Sequence, residues 1–242
     1  MVPQPPESGV DTWHPNSFLG QLRPETRTEL LRMGTSRTFR DKEILLHKGD
    51  ESRHVLILVA GRVRVTADTE DGREALLAIR IEGELLGELA FLDDEPRSAT
   101  VAAVTNPEEL AEVRIIAQPQ FRDFVATHAD AGLAMSKTVA AKLRWATRRR
   151  VDFAESVTVR LARVLCELAR QYGRPDSDGV ITLTPFTQAD WAGFISASLP
   201  SVQNAFTRLR DARLVRTLYR QIEIADLSGL QTFARMSDEQ LG

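Results

Sequence analysis

The sequence contains very little cysteine, since Cys166 is the single one among 242 residues. One thiol excludes a disulfide framework and a cysteine-based metal cluster within one chain. The histidines are also few, and none forms a pair at metal-ligand spacing on a helix; they are His14, His47, His54 and His128. We therefore expect no bound metal, and we expect Cys166, which lies in an apolar helical segment, to be a core residue.

Long apolar runs are missing as well, and none approaches the roughly 18–20 residues that cross a bilayer. The segment from Met1 to Val10 is rich in proline and lacks the basic-then-apolar pattern of a secretory signal. No Ser-His-Asp arrangement, metal cluster or P-loop indicates an enzyme. These absences predict a cytoplasmic protein that has no membrane association and is not an enzyme.

The net charge is small. The chain has 31 Lys and Arg residues against 34 Asp and Glu residues, which gives −3. Taken whole, this balance argues against a nucleic-acid binder, which usually carries a basic excess. The charge is unevenly distributed, however, because residues 137–220 carry +8 and the rest of the chain −11. A basic C-terminal part is what phosphate neutralisation by a DNA-binding domain requires.

The order of apolar patterns predicts an α+β chain. The pattern predicts a flexible tail over residues 1–16 and one or two short helices over residues 17–33. Between Phe39 and Ile116, short segments with a period of two end at glycine turns, of which Asp71-Gly72 is the strongest hairpin signal. This spacing favours a β-sandwich or roll, and we place this domain at residues 17–130.

A long helix is predicted over residues 131–156. The positions of a possible seam follow alternating steps of four and three, with a neighbouring stripe at steps of seven; they are Val139, Leu143, Ala146, Arg150 and Phe153, then Ala140, Thr147 and Ala154. Arg150 and Thr147 interrupt this otherwise apolar seam. This pattern favours a dimerisation helix. The alternative is a helix packed on its own domain.

The C-terminal pattern is helix, tight turn, helix and β-hairpin over residues 157–228, with a tail at 229–242. This order predicts a winged helix-turn-helix, whose second helix enters the major groove while the hairpin approaches the phosphate backbone. The candidate DNA-binding residues are Ser201, Gln203, Asn204, Thr207 and Arg208 on that helix and Arg220 on the hairpin. Gln and Asn can pair bidentately with adenine. The alternative is a small helical core with a solvated face.

A second cluster of polar residues starts at Gly87. A glycine that opens a short helical turn presents amide groups to an anion, Arg97 adds a fork of donors suited to phosphate, and Glu88 accepts from a hydroxyl. Together these groups fit a ribose cyclic phosphate. The candidate ligand-binding residues are Gly87, Glu88, Leu89, Arg97, Ser98 and Ala99. The alternative is a structural ion pair between Glu88 and Arg97.

With these motifs the sequence resembles the cyclic-AMP receptor protein (CRP/FNR) family of bacterial transcription regulators over about residues 17–226. The resemblance implies a cyclic-nucleotide-binding β-roll, a long dimerisation helix and a C-terminal winged helix-turn-helix. It implies that Glu88 holds the ribose 2′-hydroxyl and that Arg97 and Ser98 hold the cyclic phosphate. The effector is then cAMP or alternatively cGMP, and the partners are double-stranded DNA, a second copy of the chain and RNA polymerase.

Two departures from the family pattern and one basic run modify these expectations. The family places a Thr-Ser pair against the purine, where this chain has Ala146 and Thr147, and only Thr147 offers a side-chain hydroxyl. The family's Arg-Glu pair at the start of the recognition helix is replaced by Leu199 and Pro200, which indicates a different operator. The run Arg148 to Arg150 is either a solvated face or a contact to the purine or a second anionic ligand.

Two other functions are compatible with the sequence. One is a regulator of the same fold that needs no nucleotide. The other is a cyclic-nucleotide sensor whose helical C-terminus binds a protein. Iron–sulfur and haem sensing are not supported, since they need more cysteine or paired Cys/His ligands than the chain has.

Overall fold

The computed structural model describes residues 13–68, 74–105, 109–173, 175–183 and 186–235. Residues 1–12 of the predicted tail, the Asp71-Gly72 turn and residues 236–242 lie outside the described residues. The helices are α1 Pro24–Arg32, α2 Glu88–Asp93, α3 Gln118–Thr127, α4 Ala129–Val151, α5 Val157–Tyr172, α6 Gln188–Ile195, α7 Leu199–Asp211 and α8 Leu227–Phe233. The strands are β1 Thr35–Phe39, β2 Ile44–Leu46, β3 His54–Ala60, β4 Arg62–Asp68, β5 Glu74–Ile81, β6 Leu85–Leu86, β7 Thr100–Ala103, β8 Ala111–Ala117, β9 Ile181–Leu183, β10 Val215–Leu218 and β11 Gln221–Ile224.

Two four-stranded sheets form the N-terminal β-roll. One has the strand order β1-β8-β3-β6 and the other β2-β7-β4-β5. Strands β4 and β5 pair antiparallel from Arg62 opposite Ile81 to Asp68 opposite Glu74, as the predicted hairpin requires. The α+β class and the roll are therefore confirmed.

Strand β3 is buried on both faces, which explains its unbroken apolar run. Val55 and Ile57 pack against a helical layer that includes Leu30 of α1, Phe121 of α3 and Met135 of α4. Leu56 and Leu58 face the opposite way, into the core between the two sheets. Because successive strand residues alternate between faces, a strand between two cores has no polar position.

The C-terminal domain is built on α5, α6, α7 and a three-stranded sheet of order β10-β11-β9. The start of α6 carries the predicted cap, with Thr187 and Asp190 forming a reciprocal capping box. Helix α7 begins at the cap Ser198, with Pro200 in its first turn. The predicted core residue Cys166 is 6% exposed, and burial raises the pKa of its thiol to about 11.

Three predicted boundaries are corrected. The long helix runs from Ala129 to Val151 and is followed by a 3-10 turn at Asp152–Ala154, so it starts earlier and ends earlier than residues 131–156. The tail predicted from residue 229 is wrong up to residue 235, because α8 buries Leu230 fully in the C-terminal core. Within the N-terminal tail, Trp13 packs against the core under the helical layer. These contacts join residues distant in sequence, so local pattern does not reveal them.

The C-terminal domain packs on the β-roll through α6 and β5. A Cβ added at Gly193 of α6 would lie 3.0 Å from the Cβ of Leu76, so this glycine permits the close approach. Arg64 of β4 also forms an ion pair of 3.5 Å with Asp190, the capping residue of α6. One hydrophobic core consequently runs from the C-terminal helices to Leu76 and Ile79 of β5.

Candidate ligand-binding and DNA-binding sites

The candidate ligand site is built around Gly87, which ends β6 and opens α2. Its φ of +78° lies in the left-handed region that glycine adopts without strain. A methyl group at this position would also collide with the guanidinium of Arg97. Glycine is therefore required both by the turn and by the approach of Arg97.

Arg97 is buried and its guanidinium binds the protein backbone. Its Nε donates to Oγ of Ser52 at 3.1 Å, one Nη donates to the carbonyl of Gly87 at 3.0 Å, and the other donates to the carbonyl of His54. A guanidinium has five N–H groups, so these three bonds fix its plane and leave two donors for a ligand. Burial next to this cation also lowers the pKa of His54, which keeps the imidazole neutral.

Glu88 does not pair with Arg97, so the structural ion pair considered for these two residues is not formed. Its Oε1 instead accepts from Nζ of Lys142 on α4 at 2.9 Å, and Lys142 donates to the carbonyl of Leu85 as well. Burial alone would raise the pKa of the Glu88 carboxyl, but the ammonium of Lys142 outweighs burial and lowers this pKa. Glu88 is 4% exposed and ionised.

These groups open into a cavity of about 470 Å³, a size typical of small-molecule sites. Its walls come from the β-roll, from α4 and from α6. The cavity brings together Gly87, Glu88, Leu89, Arg97, Ser98 and Ala99, which are all the ligand residues predicted on the β-roll. We call it the cassette cavity. It offers amides at a helix start and a fixed guanidinium to an anion.

Thr147 does not line the cassette cavity. It is exposed, and its hydroxyl donates to the carbonyl of Leu143 at 2.9 Å. The wall position is taken by its neighbour Ala146, which has no hydrogen-bonding side chain. The prediction that Thr147 contacts the ligand is therefore not supported within one chain.

The α4 side of the cavity holds two residues that the sequence did not single out, Lys142 and Trp145. With Arg149 and with Phe153 of the following 3-10 turn, they line the cavity at steps of three and four. That spacing places them on one helix face, and a search for a mixed basic and aromatic face would have found them. The predicted dimer seam shares Phe153 with this face but none of the other three residues.

The three arginines of the 148–150 run have three different environments. Arg148 forms an ion pair with Glu167 of α5 at 2.9 Å. Arg149 donates to the carbonyls of Leu77 in β5 and Gly193 in α6, and burial lowers its pKa to about 10. Arg150 is exposed at the cavity wall. Neither a solvated face nor a single ligand contact describes the run.

The candidate DNA interface is the outer face of α7. Gln203, Asn204, Thr207 and Arg208 are exposed, and Ser201 is half-buried beside the cap Ser198. The inner face buries Val202, Phe206 and Leu209. This division leaves two amide side chains and one guanidinium available to base edges and phosphates.

The hairpin next to α7 is tied to it by Arg210, a residue that the sequence did not single out. Its guanidinium donates to the hydroxyls of Thr207 and Thr217. Arg220 turns the hairpin with φ +54°. Beside it Tyr219 is 92% exposed at the tip. Arg220 is half-buried, its Nε is buried without a hydrogen-bond partner among the described residues, and its carbonyl accepts from the backbone N–H of Phe186. A DNA contact by Arg220 stays a prediction.

Two family models match the two halves of the chain. The cyclic nucleotide-binding domain matches residues 36–128, and the Crp-like helix-turn-helix domain matches residues 159–233. The chain belongs to the CRP/FNR family of transcriptional regulators. Family membership confirms the fold class, DNA binding and a cyclic nucleotide-binding domain, and it identifies a regulator rather than an enzyme.

Curated relatives and solved structures agree with this assignment. The chain is 28% identical over 180 residues to the cAMP-activated global transcriptional regulator CRP of Salmonella typhimurium, covering 72% of this chain and 81% of the relative. It is 25% identical over 191 residues to the CRP-like cAMP-activated global transcriptional regulator of Mycobacterium tuberculosis, covering 78% and 83%. The structure of FixK2 from Bradyrhizobium japonicum matches with a TM-score of 0.70 and 20% identity, covering 85% and 99%.

The described part of this CRP/FNR-family chain was compared with the requirements of a membrane span and of a metal site. Within it, no helix combines the length and apolarity needed to span a membrane. No group of three or more His, Cys, Asp or Glu side chains there is placed to hold a metal ion.

Replacing Lys142 with Met tests the buried ion pair. The variant leaves the Glu88 carboxylate buried without its cation, so we expect a loss of about 3 kcal/mol in the free energy of unfolding near neutral pH. In the wild type the lowered pKa of Glu88 contributes stability that is present at neutral pH and is lost as pH falls. In the variant the carboxyl pKa rises, so acidification protonates it and the deficit shrinks.

Urea unfolding of both proteins at about pH 7.5 and about pH 5 measures this difference. Arg32→Met, which removes an exposed charge from α1, is the control and should shift stability by less than about 0.5 kcal/mol at either pH. A deficit of Lys142→Met that is the same at both pH values would contradict the ion-pair account.

Proposed function

We propose that this regulator binds a cyclic nucleotide in the cassette cavity and that ligand occupancy sets the DNA affinity of a homodimer. The observation that carries the proposal is the state of Arg97, which is fixed by three hydrogen bonds and retains two N–H donors. These donors lie at the start of α2, where backbone amides also favour an anion. A cyclic phosphate matches both sets of donors. Ser98, exposed at the cavity wall, adds a hydroxyl.

The ribose is assigned to Glu88, whose ionised carboxylate accepts a hydroxyl hydrogen. The carboxylate accepts from Lys142 and from its own backbone N–H. Since an ionised carboxylate has about four lone-pair sites, it retains acceptor capacity for a ribose hydroxyl. The base then lies toward Trp145 and Ala146 of α4 and toward Phe153 of the following 3-10 turn. Because Ala146 cannot hydrogen-bond through its side chain, we propose cAMP as the effector with weak discrimination against cGMP.

The homodimer is proposed from an exposed stripe on α4. Leu133 is 57% exposed and Leu143 is 67% exposed in the single chain. Ala140, Thr147 and Ala154 continue the stripe at heptad spacing. Thr147 therefore faces this seam and not its own cassette cavity. The predicted residues Ala146 and Phe153 lie instead on the cavity side.

Coupling between the two functions is proposed through α4 and α6. Helix α6 lines the cassette cavity with Gly193 and Ser196, and Arg149 bridges α4, β5 and α6. A ligand that prefers one arrangement of these elements shifts the population toward it. The two recognition helices of the dimer must then lie about 34 Å apart to reach successive major-groove turns. We also propose that the protein acts in the cytoplasm with RNA polymerase as a partner, which its membership of a family of transcriptional regulators supports.

Arg97→Ala tests the ligand assignment. Losing two charge-assisted hydrogen bonds of at least about 1.5 kcal/mol each should weaken cAMP binding by about 100-fold or more. Ser98→Ala removes one exposed hydroxyl without touching the fold and should weaken binding by roughly fivefold. Calorimetric titration with cAMP, cGMP and cyclic di-GMP measures the affinities, and Arg122→Gln on α3 is the matched surface control. Absence of binding by the wild type would favour a regulator that needs no nucleotide, and unchanged affinity in Arg97→Ala would sink the assignment.

Leu143→Lys tests the dimer seam. A charge buried at a coiled-coil position opposes association, so the variant should sediment as a monomer at concentrations where the wild type is a dimer. Leu92→Lys changes an equally apolar exposed residue of α2, which is 50% exposed, and should leave the dimer intact. A wild type that is monomeric at micromolar concentration, or a dimeric Leu143→Lys variant, contradicts the proposal.

Gln203→Ala and Asn204→Ala test the recognition helix. Selection from random DNA should yield a palindrome, and each substitution should reduce discrimination at one base pair by about 1–3 kcal/mol. Arg208→Ala should weaken binding to all sequences and flatten the salt dependence. Thr232→Ala on α8 serves as the control, and fluorescence anisotropy gives the affinities. Failure to enrich any palindrome would favour the alternative of a sensor acting on a protein partner.

A further inference from the structure

A second cavity of about 480 Å³ lies on another side of α4, between the N-terminal segment, the end of β5 and α5. We infer that it binds a compact polyanion, such as a small phosphorylated molecule. We call it the basic cavity. Its charged wall residues are Arg80 and Glu84 from the β5 end, Lys137, Lys142, Arg144 and Arg148 from α4, and Glu167 and Arg170 from α5.

The charges of the basic cavity do not balance. Three of its cations have carboxylate partners, with Arg80 3.5 Å from Glu84, Arg148 2.9 Å from Glu167, and Lys142 2.9 Å from Glu88. Lys137, Arg144 and Arg170 form no ion pair within 4.0 Å among the described residues. Three uncompensated cations from two helices therefore surround one concave site, which favours a ligand with two or more negative charges.

Two residues of the cavity wall also carry buried polar atoms that lack partners. Thr138 is 8% exposed and Trp145 is 9% exposed, and neither Oγ1 of Thr138 nor Nε1 of Trp145 has a hydrogen-bond partner among the described residues. An unsatisfied buried donor costs about 1–3 kcal/mol. Both groups can donate, so a ligand rich in acceptor oxygens would satisfy them. This chemistry agrees with the charge of the site.

The basic cavity borders the proposed dimer seam on α4. Since each residue turns the helix by about 100°, Lys137 and Arg144 lie only roughly 20–40° around the helix from Leu133, whereas Thr138 and Trp145 lie roughly 120–160° from both Leu133 and Leu143. The wall formed by Thr138 and Trp145 is therefore turned away from the stripe that dimerisation would cover. The cavity also differs from the cassette cavity, although Arg80, Lys142 and Trp145 line both.

Calorimetric titration of the full chain with pyrophosphate at low salt tests the inference. The wild type should bind, and the double variant Lys137→Gln/Arg144→Gln should bind at least tenfold more weakly. Thr138→Val keeps every charge and removes one hydroxyl donor, so it should weaken pyrophosphate binding severalfold. This variant replaces the double variant in the test if the double variant does not fold. Arg32→Gln/Arg37→Gln removes the same charge from the β-roll surface and should bind like the wild type.

Comparison of the wild type with these variants shows whether the basic cavity binds the anion. No binding by the wild type overturns the inference, and so does equal weakening in the control double variant, which would indicate unspecific charge attraction. Pyrophosphate binding that is lost in Arg97→Gln but kept in Lys137→Gln/Arg144→Gln would assign the anion to the cassette cavity and also overturn it. Titration with citrate distinguishes the ligand sources. Binding of both anions supports a general polyanion site, and binding of pyrophosphate alone supports a phosphate ester.

Discussion

The buried ion pair between Glu88 and Lys142 is the interaction on which the arrangement of the two domains depends. A carboxylate that is 4% exposed is costly unless a cation compensates it, and Lys142, which is bonded to it, belongs to α4. Lys142 also holds the carbonyl of Leu85, one residue before the pair Leu86-Gly87 that opens the cassette turn. The position of α4 is thereby set by the same turn that receives the ligand. Any change at Glu88 must be transmitted to the helix.

From this contact α4 extends to the DNA-binding domain. Two turns beyond Lys142, Arg149 lies between the rings of Trp145 and Phe194, each 5.6 Å from its guanidinium carbon. It bonds β5 and α6 at the same time. The first helix of the helix-turn-helix is therefore packed on the β-roll and on α4 together. A ligand can act on DNA binding only by stabilising one arrangement of these elements over another.

Features that depend on neighbouring residues could be predicted from the sequence. The cassette residues from Gly87 to Ala99 lie close together in the chain, and the structure brings them into one cavity as expected. Their binding of an anion stays a prediction. The helix-turn-helix carries its own caps at Thr187 and Ser198, so its helices could be placed nearly to the residue. Its inner and outer faces followed from the helical period, as Phe206 and Asn204 show.

Contacts between residues that are distant in the sequence could not be predicted. Lys142 lies 54 residues from Glu88, and no local pattern links the two. Arg149 looked like one member of a solvated run, although its bonds to Leu77 and Gly193 bury it between domains. The sequence of helix α8 predicts a tail, because its few apolar residues become part of a core only by packing against α5. The roles of Thr147 and Ala146 depend on which side of α4 faces the cavity, which rests on tertiary packing.

The central claim is that cyclic nucleotide and DNA binding are linked through α4. The most direct test measures the DNA affinity of the wild type with and without saturating cAMP, and the cAMP affinity with and without saturating DNA. Linkage requires both ratios to be equal, and a coupling of 1–3 kcal/mol corresponds to about 5- to 150-fold. We expect cAMP to change DNA affinity within this range, with the same factor in the reverse measurement. DNA affinity that is identical with and without bound cAMP would contradict the account.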